Sequence, residues 1–290
     1  MELTPHIKEV CKFAYEHSDD MACEVYDISP ESLNRYKRTY NQKPSAKILI
    51  FDIETAPMKT FAWGVWKQNL NKDLIIDDWF MLTWSAKWLY SNEMLNDKLT
   101  KTEALAQDDS RVATSLWNLF NEADIVIAHN ALKFDIPRMN TRFILNSLLP
   151  PSPYQIIDTL KVAQREFSFS HNRLDYLGRL FGIGRKIKTD FELWERSYNG
   201  DEDALQEMQD YNDQDVILLE DVYLKLRPWI KSHPNMNLYT EDGVCSACGS
   251  RNLKERGYYR TNVNEYLASQ CSDCGAWSRK TKNSLVSTAR

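Results

Sequence analysis

Asp52 and Glu54 stand two residues apart behind the short apolar run Lys47-Ile48-Leu49-Ile50-Phe51. Residues two apart on a strand share a face, so both carboxylates project together from the end of a buried strand. Side by side they repel, and both stay ionised only if cations sit between them. Hard divalent ions such as Mg²⁺ or Mn²⁺ take oxygen ligands of this kind. A solvated strand end is the plainer alternative. A second motif, His129-Asn130-Ala131-Leu132-Lys133-Phe134-Asp135-Ile136-Pro137, follows another apolar run and opens a helix. There Asp135 serves as a helix N-cap, with an oxygen left over that could face a metal. In Tyr211-Asn212-Asp213-Gln214-Asp215, Tyr211 and Asp215 lie four apart on one helical face, while Asp213 points elsewhere. Taken alone, this third motif also fits an amphipathic helix with a surface tyrosine.

The elements that must hold these groups can be read from periodicity. The run at 47–51 reads as a buried strand. The stretch from Phe61 to Leu89 holds Trp63, Trp66, Trp79, Trp84 and Trp88. Most of these aromatics are expected in the sheet core, and Phe61, Trp63 or Trp66 stacking on a terminal base is the alternative. Residues 80–88 look strand-like, so a meander follows the first strand. Helical periodicity covers 110–120, a buried strand 125–128, a helix 136–149, a strand-like stretch 154–160 and a long amphipathic helix 205–226. This order predicts an α/β protein with a mixed sheet and flanking helices. Expected boundaries are a helical module at 1–42, the α/β core at 46–232, a cysteine module at 241–282 and a disordered tail at 283–290.

Together the three motifs closely resemble the DEDD superfamily of 3′–5′ exonucleases in its tyrosine-bearing branch, to which polymerase proofreading domains belong. Asp52-x-Glu54, Asn130-x3-Phe134-Asp135 and Tyr211-x3-Asp215 match its motifs in order. The second motif looks most like the exonuclease domains of family-B polymerases and their stand-alone relatives. Ile157-Asp158-Thr159-Leu160 and Leu174-Asp175-Tyr176-Leu177-Gly178 resemble connecting segments there. The histidine-bearing branch places its base five residues before the last aspartate, where this chain has Asp210. The resemblance implies an RNase H-like core and two-metal hydrolysis at nucleic-acid 3′ ends, more DNA than RNA, with a single-stranded end as substrate. It also implies that Asp52 bridges two Mg²⁺ or Mn²⁺ ions. Glu54 and Asp215 would complete the site of the water-activating ion, Asp135 would support the other, and Tyr211 would orient the water. His129 would be structural or substrate-side. Lys186 and Lys188 would touch the phosphate backbone or be solvated.

Cys245-x2-Cys248 and Cys271-x2-Cys274, each pair followed by glycine, resemble the paired knuckles of a zinc ribbon. Four thiolates leave no open position, so one structural Zn²⁺ is expected. Arg256, Tyr258, Tyr259, Arg260, Tyr266, Trp277, Arg279, Lys280 and Lys282 interleave bases with aromatics, which suits nucleic-acid contact or a small soluble ribbon core. Residues 21–33 resemble a helix-turn-helix, with Ser29 as N-cap and Pro30 opening the second helix. That helix would present Asn34, Arg35, Lys37 and Arg38, and a helical interaction module is the alternative.

The 290-residue chain carries a net charge of −5. From Cys245 onward, eight Lys/Arg face three Asp/Glu, so a basic end follows an acidic body. Such a body can bind nucleic acid if its carboxylates hold divalent cations. No apolar stretch is long enough for a bilayer and the N-terminus carries no secretory pattern, so a cytoplasmic location with no membrane partner is expected. Two other readings compete. A transposase- or integrase-like strand transferase would carry an Asp…Asp…Glu triad without the tyrosine motif. A non-catalytic DNA-binding protein would not need all four acids.

Overall fold

The structure is a computed structural model that describes residues 5–33, 36, 46–64, 66, 70–240, 243–280 and 285–286. It divides into two units. One is Lys47–His233; the other combines Met1–Ala46 with Pro234–Arg290.

In the larger unit, five strands form one mixed sheet in the order β5-β4-β1-β6-β7. They are β1 (Ile48–Thr55), β4 (Met81–Trp88), β5 (Leu95–Lys98), β6 (Ile125–Ala128) and β7 (Gln155–Asp158). β1, β4 and β5 run as the expected antiparallel meander, while β6 and β7 join parallel to β1. A short pair, β2 (Lys59–Thr60) with β3 (Ile75–Asp77), interrupts the meander.

β1 and β4 alternate sharply between two chemistries. On one face, Phe51 meets Phe120 edge-on at 4.8 Å, and the Trp84 indole N–H donates to the Val112 carbonyl at 2.9 Å. Both partners belong to the helix Ser110–Glu122, so this face is the apolar core. The opposite face carries Ile50, Asp52 and Glu54 of β1, in register with Lys87, Ser85 and Thr83 of β4. The long helix Glu202–Leu226 covers it and meets it with polar groups. Thr83 donates to Gln209 at 2.6 Å and Ser85 to Asp213 at 2.6 Å, while Lys87 pairs with Glu220. Residues two apart on a strand and four apart on a helix advance by nearly the same ~6 Å, which lets Thr83 and Ser85 engage Gln209 and Asp213. Asp213 does point away from Asp215, toward Ser85, Asn96 and Gln209.

Two sequence expectations shift. The helix that Asp135 opens runs Asp135–Leu145, and Ser147 at φ 59 turns the chain before 149. Phe61, Trp63 and Trp66 are exposed, Trp63 by 94%, and lie outside the core. They lie in the connection between β2 and β3.

In the smaller unit, Pro5–Glu16 and Asp19–Val25 are helices, and residues 30–33 are helical. The Ser29 hydroxyl accepts from the Ser32 amide at 3.1 Å, as an N-cap should. Asp27 supplies the left-handed turn at φ 50 where glycine is usual. Asn34, Arg35, Lys37 and Arg38 lie outside the described residues. The cysteine module forms a small sheet of β8 (Leu253–Arg260), β9 (Asn264–Cys271) and β10 (Trp277–Arg279). Within the segment 283–290, expected to be a disordered tail, Leu285–Val286 forms β11, paired antiparallel with Glu265 and Asn264 of β9, and the other residues of that segment lie outside the described residues.

Asp109 ties this scaffold together. It is fully buried, accepts from the Met81 amide at 2.8 Å, and takes side-chain bonds from Arg142 at 2.7 Å and Asn146 at 3.0 Å. Replacing it by alanine strands the largely buried Arg142. Asp109→Ala should therefore lose about 3–5 kcal/mol of stability, read as a lower denaturant midpoint. An unchanged midpoint would remove Asp109 from this role.

Candidate active site

β1 places Asp52 and Glu54 side by side, and the long helix brings Asp215 against them. Ligand-type atoms of all three lie within 4.8 Å of one another. Asp135 is buried at the start of its helix, next to this trio but outside that radius. It sits in the first turn rather than at the N-cap, which Phe134 occupies, so capping does not use its carboxylate. Tyr211 lies one helical turn before Asp215, is largely buried, and meets Trp194 edge-on at 6.1 Å.

The electrostatics follow from burial. Burial, reinforced by Asp215, pushes Asp52 up to about 7, against the pull of Lys186 and of the Asn212 hydrogen bond. Burial and then Asp52 raise both Glu54 and Asp135 well above the usual carboxylate range. Asp215 is raised by burial against the opposing Lys186. Burial also raises Tyr211, so its phenol stays protonated near neutral pH. Like charges this close cannot all ionise without positive charge among them.

Part of that charge comes from Lys186, which sequence reasoning left between phosphate contact and solvation. Its ammonium pairs with Asp215 and lies 3.2 Å from the Tyr211 hydroxyl and 5.3 Å from the centre of its ring. Burial disfavours the ammonium, but Asp52 and Asp215 more than offset this and raise its pKa. Asn212, also missed, donates to Asp52 at 2.7 Å. Its position beside Tyr211 was visible in the sequence, but its direction was not.

The loop before Asp135 has its own anchor. Asp158 is buried and accepts from the amides of Asn130 at 3.1 Å, Leu132 at 3.1 Å, Leu160 at 3.0 Å and Lys161 at 3.2 Å. It thus clamps the 130–132 turn onto the start of the next helix. His129 is structural. One ring nitrogen meets the Asn172 carbonyl at 2.8 Å and so must donate, and the other meets the Thr159 hydroxyl at 2.9 Å. Burial holds its pKa down to about 4.

The donor set suits hard divalent cations. It consists of carboxylate oxygens converging on one point. Among the described residues the buried Asp215 Oδ1 has no hydrogen-bond partner, which leaves it available to a cation. The four cysteines suit a softer ion. Cys245 and Cys274 sulfurs lie 3.6 Å apart and Cys248 and Cys271 sulfurs 3.7 Å apart. A tetrahedron with ~2.3 Å Zn–S bonds has edges of ~3.8 Å. Gly249 and Gly275, at φ 76 and 80, close the two knuckles by donating their backbone N–H groups in hydrogen bonds to the Cys245 and Cys271 carbonyls. Hydrogen bonding from Cys248 pulls the Cys245 thiol down to about 4.

A family model of the RNase H superfamily matches residues 88–227, a segment that contains Asp135, Tyr211 and Asp215 and begins after Asp52 and Glu54. Among solved structures, the family B DNA polymerase from the hyperthermophilic archaeon Pyrobaculum calidifontis is similar, at 12% identity and a TM-score of 0.45. The match covers 76% of this chain, which spans about a third of the polymerase, 32% of its length. A search of curated proteins finds no match. The mixed five-stranded sheet with flanking helices is RNase H-like.

Gly178 explains how Lys186 reaches its seat. A Cβ there would meet Leu218 of the long helix at 2.7 Å and the Gly184 carbonyl at 2.9 Å. The bare glycine lets the 182–186 segment close on the helix, and Asp175 then holds the Lys186 amide at 3.2 Å. Gly178→Ala should cost about 1–3 kcal/mol through overpacking and should lower activity by displacing the lysine. Wild-type stability and activity in the purified variant would refute this packing account.

Proposed function

We propose that the chain is a two-metal-dependent 3′–5′ exonuclease of the tyrosine-bearing DEDD type, acting on DNA in preference to RNA and on single-stranded 3′ ends. The convergence of Asp52, Glu54 and Asp215 within 4.8 Å, with Asp135 and Tyr211 beside them, carries the reading. Asp52, Glu54, Asp135 and Asp215 would hold two Mg²⁺ or Mn²⁺ ions. When bound, such ions make a water nucleophilic at neutral pH and neutralise the leaving oxygen. The raised pKa of Tyr211 suits a hydroxyl that orients the water by hydrogen bonding rather than one that removes its proton. Lys186 holds Asp215 and Tyr211 together and balances part of the carboxylate charge. The spacing of the four sulfurs supports one structural Zn²⁺ held by Cys245, Cys248, Cys271 and Cys274.

The direct test incubates purified protein and Mg²⁺ or Mn²⁺ with end-labelled single-stranded DNA, duplex DNA and RNA. Stepwise loss from the 3′ end, fastest on single-stranded DNA, is expected. Asp52→Ala and Asp215→Ala should each reduce it to background. Activity retained in both variants, with contaminating nuclease excluded, would end the assignment. Tyr211→Phe should lower single-turnover cleavage by about 10²-fold, the scale of one positioned hydrogen-bonding group, and leave the half-saturating metal concentration unchanged.

The raised carboxylates also fix a pH dependence. The folded Asp52, at about 7, binds protons that the unfolded chain, near ~3.9, has already released. Its contribution to metal-free stability therefore falls as pH rises through that window. Mn²⁺ should restore stability at the upper end and bind more tightly as pH rises through about 7. Thermal melts at pH 6 and 8, with and without Mn²⁺, would show it. A metal effect equal at both pH values would contradict the assignment. Separately, Cys245→Ser with Cys248→Ser should remove zinc by elemental analysis and unfold the ribbon, which is too small to stand without it. Full zinc retention would refute the ligand set.

A further inference from the structure

The small sheet around β9 has two unlike faces. Residues directly opposite each other in antiparallel strands share a face. Tyr259 faces Tyr266, Lys254 and Trp277 flank Gln270, and Arg279 lies beside Ala268. Side-chain contacts agree with this register. The Arg279 guanidinium sits 4.0 Å from the centre of the Tyr266 ring and 5.5 Å from that of Tyr259, and Arg256 donates to Gln270 at 2.7 Å. Lys254, Arg256 and Arg279 thus share one face with Tyr259, Tyr266 and Trp277. Trp277 is 54% exposed and Tyr259 51%.

The opposite face is compensated. It pairs Arg260 with Glu265 at 2.7 Å and Lys280 with Glu255 at 2.9 Å. Asp273 lies in the second knuckle, bound by Ser250 and Asn252. None of the acids among the described residues of this module therefore lies on the aromatic face, and its three cations make no ion pair among those residues. The segregation matters because exposed aromatics alone would suit any apolar partner. Rings interleaved with cations, on a face free of carboxylates, suit a polyanion that also offers flat π-surfaces.

We propose that this face binds single-stranded nucleic acid. Bases would stack on Trp277 and Tyr259, and the phosphates between them would meet Arg279, Arg256 and Lys254. Bases in a duplex are already stacked on one another and cannot reach rings that stand on a flat sheet, so the face selects single strands. The inference rests on the reading that the chain acts on nucleic acid and names the surface that captures it.

The test is fluorescence anisotropy of a labelled dT20 strand and a 20-base-pair duplex, using the full zinc-loaded chain with Ca²⁺ in place of Mg²⁺ across a salt series. Trp277→Ala and Arg279→Ala should each weaken dT20 binding about tenfold or more, within the range seen for lost base stacking. Arg279→Ala should also flatten the salt dependence. Arg260→Ala removes the same charge from the compensated face and should change affinity less than twofold. Zinc content and melting temperature check that each variant is folded. The proposal is overturned if Arg260→Ala weakens binding as much as Arg279→Ala, if duplex binds as tightly as dT20, or if the Trp277 and Arg279 variants bind like wild type. The last result would mark the face as a protein contact. Binding is read without cleavage, so loss of nuclease activity in Asp52→Ala leaves this measurement standing, and failure here leaves the exonuclease reading standing.

Discussion

Three carboxylates in one poorly hydrated pocket repel one another, and the chain must supply positive charge to keep them there. Asp52 and Glu54 are forced together by the two-residue period of β1, and Asp215 is added by the helix across the sheet. Lys186 supplies one positive charge, and Asn212 supplies a donor to Asp52. Burial first, and the remaining repulsion after it, raise the carboxylate pKa values. A divalent cation among them would relieve it while keeping the carboxylates ionised, which protonation cannot do.

The rest of the larger unit can be understood as what holds that arrangement still. A sheet face carrying two buried acids cannot be an ordinary apolar face. The chain continues its polarity along β4 and answers it from the long helix, with Thr83 on Gln209, Ser85 on Asp213 and Lys87 on Glu220. These satisfied polar pairs fix the helix register against the sheet, and so fix where Tyr211 and Asp215 point. The apolar face on the other side carries the packing that holds the unit together. Asp158 performs a similar task for the segment that leads into Asp135.

The acids themselves were legible in the sequence because their spacing is local. A two-residue step on a strand and a four-residue step on a helix declare shared faces without tertiary knowledge. The strands and the long helix were legible for the same reason. Lys186 was not. It lies on an irregular segment, and its seat depends on the Gly178–Leu218 approach, which joins two helices far apart in sequence. The pattern of Thr83, Ser85 and Lys87 alternating with Leu82, Trp84 and Ala86 reads as a strand with one wet face, yet that face is covered. Trp63 and Trp66 show the opposite failure, since side-chain size argued for the core and both are exposed.

The central claim is that these carboxylates form a cation site rather than a stabilised cluster of protonated acids. Crystals of the full chain grown without divalent metal and soaked in Mn²⁺ near neutral pH test it most directly, by anomalous scattering at the manganese edge. The account predicts Mn²⁺ peaks bounded by Asp52, Glu54 and Asp215, with a second ion on the Asp135 side and the Lys186 ammonium shifted away from Asp215. Crystals that take up Mn²⁺ elsewhere but show no peak among these oxygens, with Lys186 still paired to Asp215, would contradict it.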